Sequence, residues 1–552
     1  MNTFSAKSVY SKMFISRILP MLGFALVLGF SLPAHAQTNN WTNTANGNWT
    51  TASAWSAGLP TSTQDLFLTN GTQTTLNTSG VAKSLAVGGS SGTSTLLFSA
   101  DRSLNVGGDI TLASGAGAAA LNFGNSNVTL TLNGGAGSII NGGGAGNASL
   151  SFQGGFSNSL GLLNASTDDL NMGQSGNGTL IITNGQTYNV ANLLRLNNSG
   201  AAAYNATILM NGGTLNHSGS GANNIRFNSG AGAGNTAYLI LNSNAVVTAT
   251  AIRRQNLGAD AAIEWNDGTI GNYAGSNLTI DASAGTMNVK LAGTGVHTFD
   301  ASSTNTITVA ATAQLQDKTG EFGTLNKAGG GTLLLQGTNT YSGATTISGG
   351  TLMLSTNGAI ASSSSLSVSN GATLHVTAVA GGFKIGVNQT LLGSGTVIGN
   401  TTIEGSLKPG NSPGLLTFND DLTLAAGSST VMEFLGAGVR GTDYDAVNVG
   451  GLLTYDGSLT LDFGATLAQG SYNFNLFDFT NQSGFYDNIS LSGAYSGDFT
   501  QIGSDWELSS GTETWNFSQS TGELSLNVIP EPSSLSLLLL GTVVWLRQRR
   551  RA

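Results

Sequence analysis

Residues 329–354 read "GGGTLLLQGTNTYSGATTISGGTLML". Two short apolar runs, "TLLL" and "TLML", each follow paired glycines, and a polar Gly/Asn/Ser stretch separates them. Runs of four to six residues with period-two character, bounded by such turn residues, read as strands. Similar strand–corner–strand units recur at 178–190 ("GTLIITNGQTYNV"), 206–218 ("ATILMNGGTLNHS") and 365–377 ("SLSVSNGATLHVT"). Between residues 37 and 528 no stretch sustains a 3.6-residue apolar period for a full helix. The chain is therefore all-β. Recurrence at about 20–30 residues predicts a solenoid in which each coil stacks on its neighbours. Glycine suits corners that need positive φ, and inward Val, Ile and Leu supply a narrow core. At about 4.8 Å per stacked strand, roughly 20 coils would form a rod on the order of 100 Å long. A string of Greek-key sandwiches also accommodates short strands, but it gives no reason for the Gly-Gly-Thr-Leu refrain.

Composition narrows the function. The 552 residues include 79 Gly and no Cys, and only 9% are charged. Without Cys there are no disulfides, thiolate metal sites or cysteine nucleophiles. Of 19 Lys+Arg, three precede residue 37 and four follow residue 546, leaving 12; of 28 Asp+Glu, only Glu531 lies beyond residue 528, leaving 27. A body near −15 disfavours nucleic acid and anionic lipid, both of which rely on Lys/Arg contacts.

The two ends carry signals of another kind. Lys7, Lys12 and Arg17 precede the apolar stretch "MLGFALVLGFSL", and Ala34 and Ala36 flank His35 just before Gln37. A basic segment, an apolar segment and small residues at −3 and −1 make a secretory signal peptide with cleavage before Gln37. At the other end, Pro530, Glu531 and Pro532 precede an apolar run at 533–546 and then Arg547, Arg549, Arg550 and Arg551. As a helix that run spans roughly 21 Å, against about 20 residues for a full bilayer crossing. The arginines favour the cytoplasmic side and fix orientation. The pattern predicts export with a transient inner-membrane tether, the rest of the chain lying outside.

Several segments resemble known families. The quoted 329–354 stretch resembles the autotransporter-associated β-strand repeat, which implies a right-handed parallel β-helix. The segment 405–424 ("GSLKPGNSPGLLTFNDDLTL") followed by "DYDAVNV" at 443–449 resembles what often follows such repeats. Residues 41–68 resemble the Trp-rich opening of similar exported proteins. Autotransporters end in a membrane β-barrel of alternating strands; this chain ends in Pro-Glu-Pro, an apolar run and arginines. That ending resembles a PEP-CTERM sorting signal. The resemblance implies cleavage near the motif by an exosortase-type membrane peptidase after export through the Sec machinery. It also implies a cell-surface or extracellular destination in a Gram-negative-type bacterium, in association with exopolysaccharide and biofilm.

The expected layout is a signal peptide at 1–36, a Trp-rich N-terminal cap at 37–79 and solenoid repeats at 80–320. A solenoid with the associated repeat (about 324–355) follows at 321–442, then a C-terminal β region at 443–528 and the sorting signal at 529–552. Signal and tail helices flank the body.

Candidate chemistry is sparse. His217, His297 and His375 stand apart from one another, with no His pair at metal spacing, and read as surface residues. The best charged cluster is Arg253, Arg254, Asp260, Glu264 and Asp267. Two carboxylates about 5–9.5 Å apart could serve a glycosidase, whereas alternation puts Glu264 and Trp265 on opposite faces. Asp443 and Asp445 flank Tyr444 and would share a face, too few oxygens for Ca²⁺. Trp41, Trp49 and Trp55 read as a cover for the first coil, with sugar stacking as the rival role. The expectation is a non-enzymatic exported protein that needs no cofactor. A β-helix polysaccharide lyase or hydrolase and a carbohydrate-binding adhesin stand as alternatives.

Overall fold

The computed structural model describes residues 37–530, apart from short segments that fall mainly between 89 and 231 and at 411. The expected signal and tail helices lie outside the described residues, as do Ala34, Ala36, Glu531, Pro532 and the four tail arginines. Within the described residues there is no α-helix, only a single 3-10 turn at Ala52–Ala54.

Strands stack in parallel from coil to coil. The strand Thr236–Asn242 runs beside Asp260–Trp265, Val246–Ala249 beside Gly268–Asn272, and Ala251–Arg254 beside Leu278–Ala282. Three strands per coil thus feed three long sheets, which form a parallel β-solenoid. Parallel pairing between successive coils excludes the sandwich alternative, whose sheets are antiparallel.

Alternation places the core. In Thr236–Asn242 the residues Ala237, Leu239 and Leu241 are buried while their neighbours are half-exposed. Inward residues line up vertically: Ile252 stacks on Ile280, then Val309, Leu335 and Leu354. Each buried aliphatic side chain contributes about 1.5–3 kcal/mol of hydrophobic free energy. Every coil also satisfies its neighbour's backbone groups, so the ladder and the core reinforce each other.

Glycine matters where corners crowd. Gly350 has φ +62°, and a Cβ there would meet the Gly331 carbonyl oxygen at 2.3 Å. Gly329, at φ +73°, faces the Ala301 carbonyl just as closely, at 2.2 Å. One glycine in the group before each Thr-Leu run is thus required by corner-on-corner contact.

The coils change size partway along. Vertical partners are 29 residues apart between Ile280 and Val309, but 19 apart between Leu335 and Leu354. The third sheet stops at Ala313–Asp317. After it, residues 337–343 cover that side without forming a strand.

Both ends are covered by aromatic residues. Trp41, Trp49 and Trp55 are only 3–4% exposed. Trp55 meets the other two edge-on, at 5.2 Å and 5.0 Å. The far end departs from the stacked pattern expected there. Gly470–Asn475, Glu523–Val528, Glu513–Ser518, Asp505–Ser510 and Thr500–Ile502 form an antiparallel sheet. Its Trp515 packs against Phe463 and Tyr495 of the last coils. A solenoid must cover its terminal core, and period-two alternation alone does not distinguish a parallel from an antiparallel strand.

Candidate functional site

The charged cluster read from the sequence is dispersed around one coil and its neighbours. Arg253 faces outward and forms a two-pronged contact with Asp281 on the next coil, Nε to Oδ1 at 2.6 Å and Nη2 to Oδ2 at 2.5 Å. Arg254, one residue on, turns inward and donates to the Thr286 carbonyl at 2.9 Å. Asp267 closes corners, accepting the backbone N–H of Asn244 and of Val296.

Asp260 and Glu264 do come together, around one cation. Lys290 Nζ lies 3.3 Å from Asp260 and 4.0 Å from Glu264. The Tyr238 hydroxyl donates to Asp260 at 3.0 Å. Burial opposes the Asp260 charge, but the Tyr238 hydroxyl and the Lys290 ammonium together hold its carboxyl below the usual range. Burial and the same carboxylate push the Tyr238 hydroxyl up to about 12. A carboxyl held ionised is unsuited to protonating a leaving group, the role that needs a raised pKa. Trp265 is fully buried behind Glu264, so alternation separates the two as read from the sequence.

The other candidates are structural in their contacts. Asp445 is buried and accepts the N–H of Gly414 at 2.7 Å and of Glu433 at 2.8 Å. Burial pushes its carboxyl up to about 7. Asp443 instead closes a turn by accepting the N–H of Val439 at 2.6 Å. The two carboxylates therefore do not share a face as expected, because Asp443 belongs to the turn and Asp445 to the strand edge. Among the described residues, no trio of His, Asp or Glu is placed to hold a metal ion.

His217 and His297 correct the surface reading: both are fully buried. Each ring bonds a backbone carbonyl, Asn192 for His217 and Thr324 for His297, at 2.7 Å. The three N-terminal indoles are also closed to sugar stacking. Trp55 donates to the Trp49 carbonyl and Trp41 to the Thr72 hydroxyl.

Sequence reading missed a row of outward arginines. Arg195, Arg226 and Arg253 are vertical partners on three successive coils, with Asp281 as the fourth step. The signal was present: each Arg follows a Leu or Ile, in "LLRL", "NIRF" and "AIRR", at intervals of 31 and 27 residues, one coil apart.

Of the sorting and cleavage residues, Pro530 and Gln37 are described, and both are exposed. Ile529 still donates its N–H to the Thr512 carbonyl, so Pro530 stands directly after the last backbone bond of the cap sheet. Among the described residues, no helix is long and apolar enough to cross a membrane.

The passenger-associated transport repeat matches residues 325–354, the coil in which the third sheet has ended. No curated protein matches the chain. The chain thus carries, in a continuous parallel solenoid, one unit of a repeat characteristic of exported passenger proteins.

Proposed function

We propose that this chain is an exported, non-enzymatic protein of the cell surface or extracellular matrix, whose capped solenoid is its working part. The observation that carries the reading is the transport repeat at 325–354, set within an unbroken stack of coils. In this proposal the signal peptide is removed before Gln37 and the Sec machinery exports the body. Arg547, Arg549, Arg550 and Arg551 halt the tail at the inner membrane. An exosortase-type peptidase then recognises Pro530, Glu531 and Pro532. The exposure of Pro530 just beyond the last strand supports its accessibility. The non-enzymatic reading is supported by the carboxylates, which are engaged by Lys290, Arg253 or backbone N–H groups. Exopolysaccharide is the proposed partner outside the cell.

The test is an immunoblot of membrane and external fractions, with an epitope placed after Gln37. Replacing Pro530, Glu531 and Pro532 by Ala should leave full-length protein in the membrane while the wild type is shortened and released. Equal size and location for both would refute sorting through the motif.

A further inference from the structure

Cations on the outer surface meet carboxylates. Lys83 lies 3.5 Å from Asp65, Lys384 2.6 Å from Glu404 and Arg253 2.5 Å from Asp281. Arg440 departs from this. Its Nε donates to the Asn475 carbonyl at 2.8 Å, its Nη1 to Asn448 Oδ1 at 2.7 Å and its Nη2 to the Val447 carbonyl at 2.9 Å. All three acceptors are neutral, and Asp478 attracts the guanidinium without bonding to it. Of the five N–H groups of an arginine these bonds use three, which leaves one on each terminal nitrogen. Burial opposes the charge, and no carboxylate is bonded to it to offset that cost.

Arg440 stands at one wall of an open cavity of about 470 Å³. Thr396 and Thr417 line it as register partners on successive strands, and Asn448, which the guanidinium bonds, is the next step after Thr417. Asn370 and Ser394 line the same space, with Leu415 as an apolar contact. Among the described residues, the side chains of Asn370, Ser394, Thr396 and Thr417 have no hydrogen-bond partner within the protein. The volume falls in the range of about 300–1,000 Å³ typical of small-molecule sites, where a few convergent polar groups fix the ligand. Unengaged hydroxyls and an amide beside a cation without a bonded acid call for a ligand that is rich in hydroxyls and negatively charged. We propose that this cavity is a binding site for a carboxylated sugar, with its carboxylate on the terminal N–H groups of Arg440 and its hydroxyls on Asn370, Ser394, Thr396 and Thr417. Charge-assisted bonds from a guanidinium to a carboxylate are the strong ones, and the planar group fixes their direction. No aromatic side chain lines the cavity as a platform for a nucleobase. The threonine row continues in register through Thr373, Thr351 and Thr332, so a longer glycan can leave the cavity along the outer face. The inference deepens the exopolysaccharide reading and rests on it only for access to an extracellular glycan.

The experiment measures binding of glucuronate to the purified full-length chain by calorimetry, with glucose, acetate and inorganic phosphate as the other arms. Glucuronate should bind, and bind more weakly as salt rises. Glucose lacks the charge and acetate lacks the ring, so each should bind at least about tenfold more weakly. Thr396→Val and Thr417→Val keep the side-chain volume on an outward face. Each should weaken glucuronate binding several-fold while leaving amide exchange in these coils unchanged, a split that a folding defect would not produce. Arg440→Lys should cost about tenfold, because it keeps the charge and loses the fork. The proposal is overturned if glucuronate does not bind, if glucose binds as tightly, or if both threonine variants bind glucuronate like the wild type. Acetate or phosphate binding as tight as that of glucuronate would overturn it too, by reducing the cavity to a simple anion site. Because the assay uses purified protein, its failure leaves the sorting reading to be judged by fractionation.

Discussion

Two ways of building the third side of a coil occur in this chain. Up to Asp317 that side is a regular sheet, in which Asp260–Trp265, Met287–Leu291 and Ala313–Asp317 form a continuous parallel backbone ladder. In the transport repeat the same side is an irregular segment held by side chains. Asn339 gives its Oδ1 to the Leu315 N–H at 3.0 Å, an acceptor that a further strand would have provided. Its Nδ2 donates to the carbonyls of Gly337 and Ala359. Ser342 anchors to both oxygens of Asp317. Inside, the Tyr341 hydroxyl, Thr345, Ser363 and the Gly343 carbonyl form a buried relay. The regular side depends on a pattern that many sequences satisfy. The irregular side depends on particular atoms, and this gives a physical reason for its repeat to have a recognisable motif.

That contrast predicts where single substitutions hurt most. Lys327 is fully buried in the repeat. Its ammonium donates to the carbonyls of Ala328, Gly329 and Gly349 at 2.7, 2.9 and 3.0 Å. Burial pushes its pKa down to about 8, so it remains charged at pH 7 and pins two consecutive corners. Lys327→Met should strip the Gly329 and Gly349 carbonyls of the ammonium, leave Ala328 with only the Ala301 N–H, and lower local stability by about 3 kcal/mol. Amide exchange across 325–354 would report it. An unchanged exchange pattern would mean that the ammonium is dispensable.

Asn339→Ala should rank next, at about 2 kcal/mol, because it leaves the Leu315 N–H without its acceptor, while the Gly337 and Ala359 carbonyls keep the backbone N–H groups of Ala359 and Asn339. The matched substitution on the regular side is Ile240→Thr, an outward position on a continuous sheet. It should change stability by no more than about 0.5 kcal/mol. Comparable losses for the two would erase the distinction between side-chain-held and backbone-held sides.

Much of this was legible in the residues themselves. Strand positions, inward and outward faces and the corner glycines follow from alternation, as "TLLL" and "TLML" show. Parity also marked His217, since Leu215 is inward and His217 lies two residues on, but residue type outweighed position in the reading. Lys327 was hidden because "NKAGGG" resembles a solvated turn; its carbonyl cage exists only once the Gly349 corner stacks above it. The arginine row needed coil register, which spacing near 30 residues supplies only after the coils are known. The antiparallel cap had no local signature, since "ELSLNV" alternates like any strand of the stack.

The smallest expected effect concerns pH, and it runs in opposite directions in the three-sheet coils and in the coils beyond the repeat. His217 and His297 belong to the three-sheet coils, and burial lowers the pKa of both imidazoles. The Asp267 and Glu321 charges oppose that trend at His297 without reversing it. An unfolded histidine titrates near 6.5. Below that pH the unfolded chain takes up protons that the folded rings refuse. Stability from these rings is therefore full above about pH 6.5 and declines as pH falls through their lower folded values. Asp445 lies beyond the repeat, where its carboxyl is raised to about 7 by burial, with Glu433 adding to the shift. Above about pH 4 the unfolded aspartate releases a proton that the folded one retains. Its contribution is full at lower pH and is lost as pH rises through about 7. Between pH 7 and about pH 5, amide protection should fall around His297–Asp300 and rise around Gly414 and Glu433, after correction for intrinsic exchange. His297→Gln should flatten the first response and Asp445→Asn the second. Protection that moves in the same direction at both places would show that these buried groups do not set the pH response of their coils.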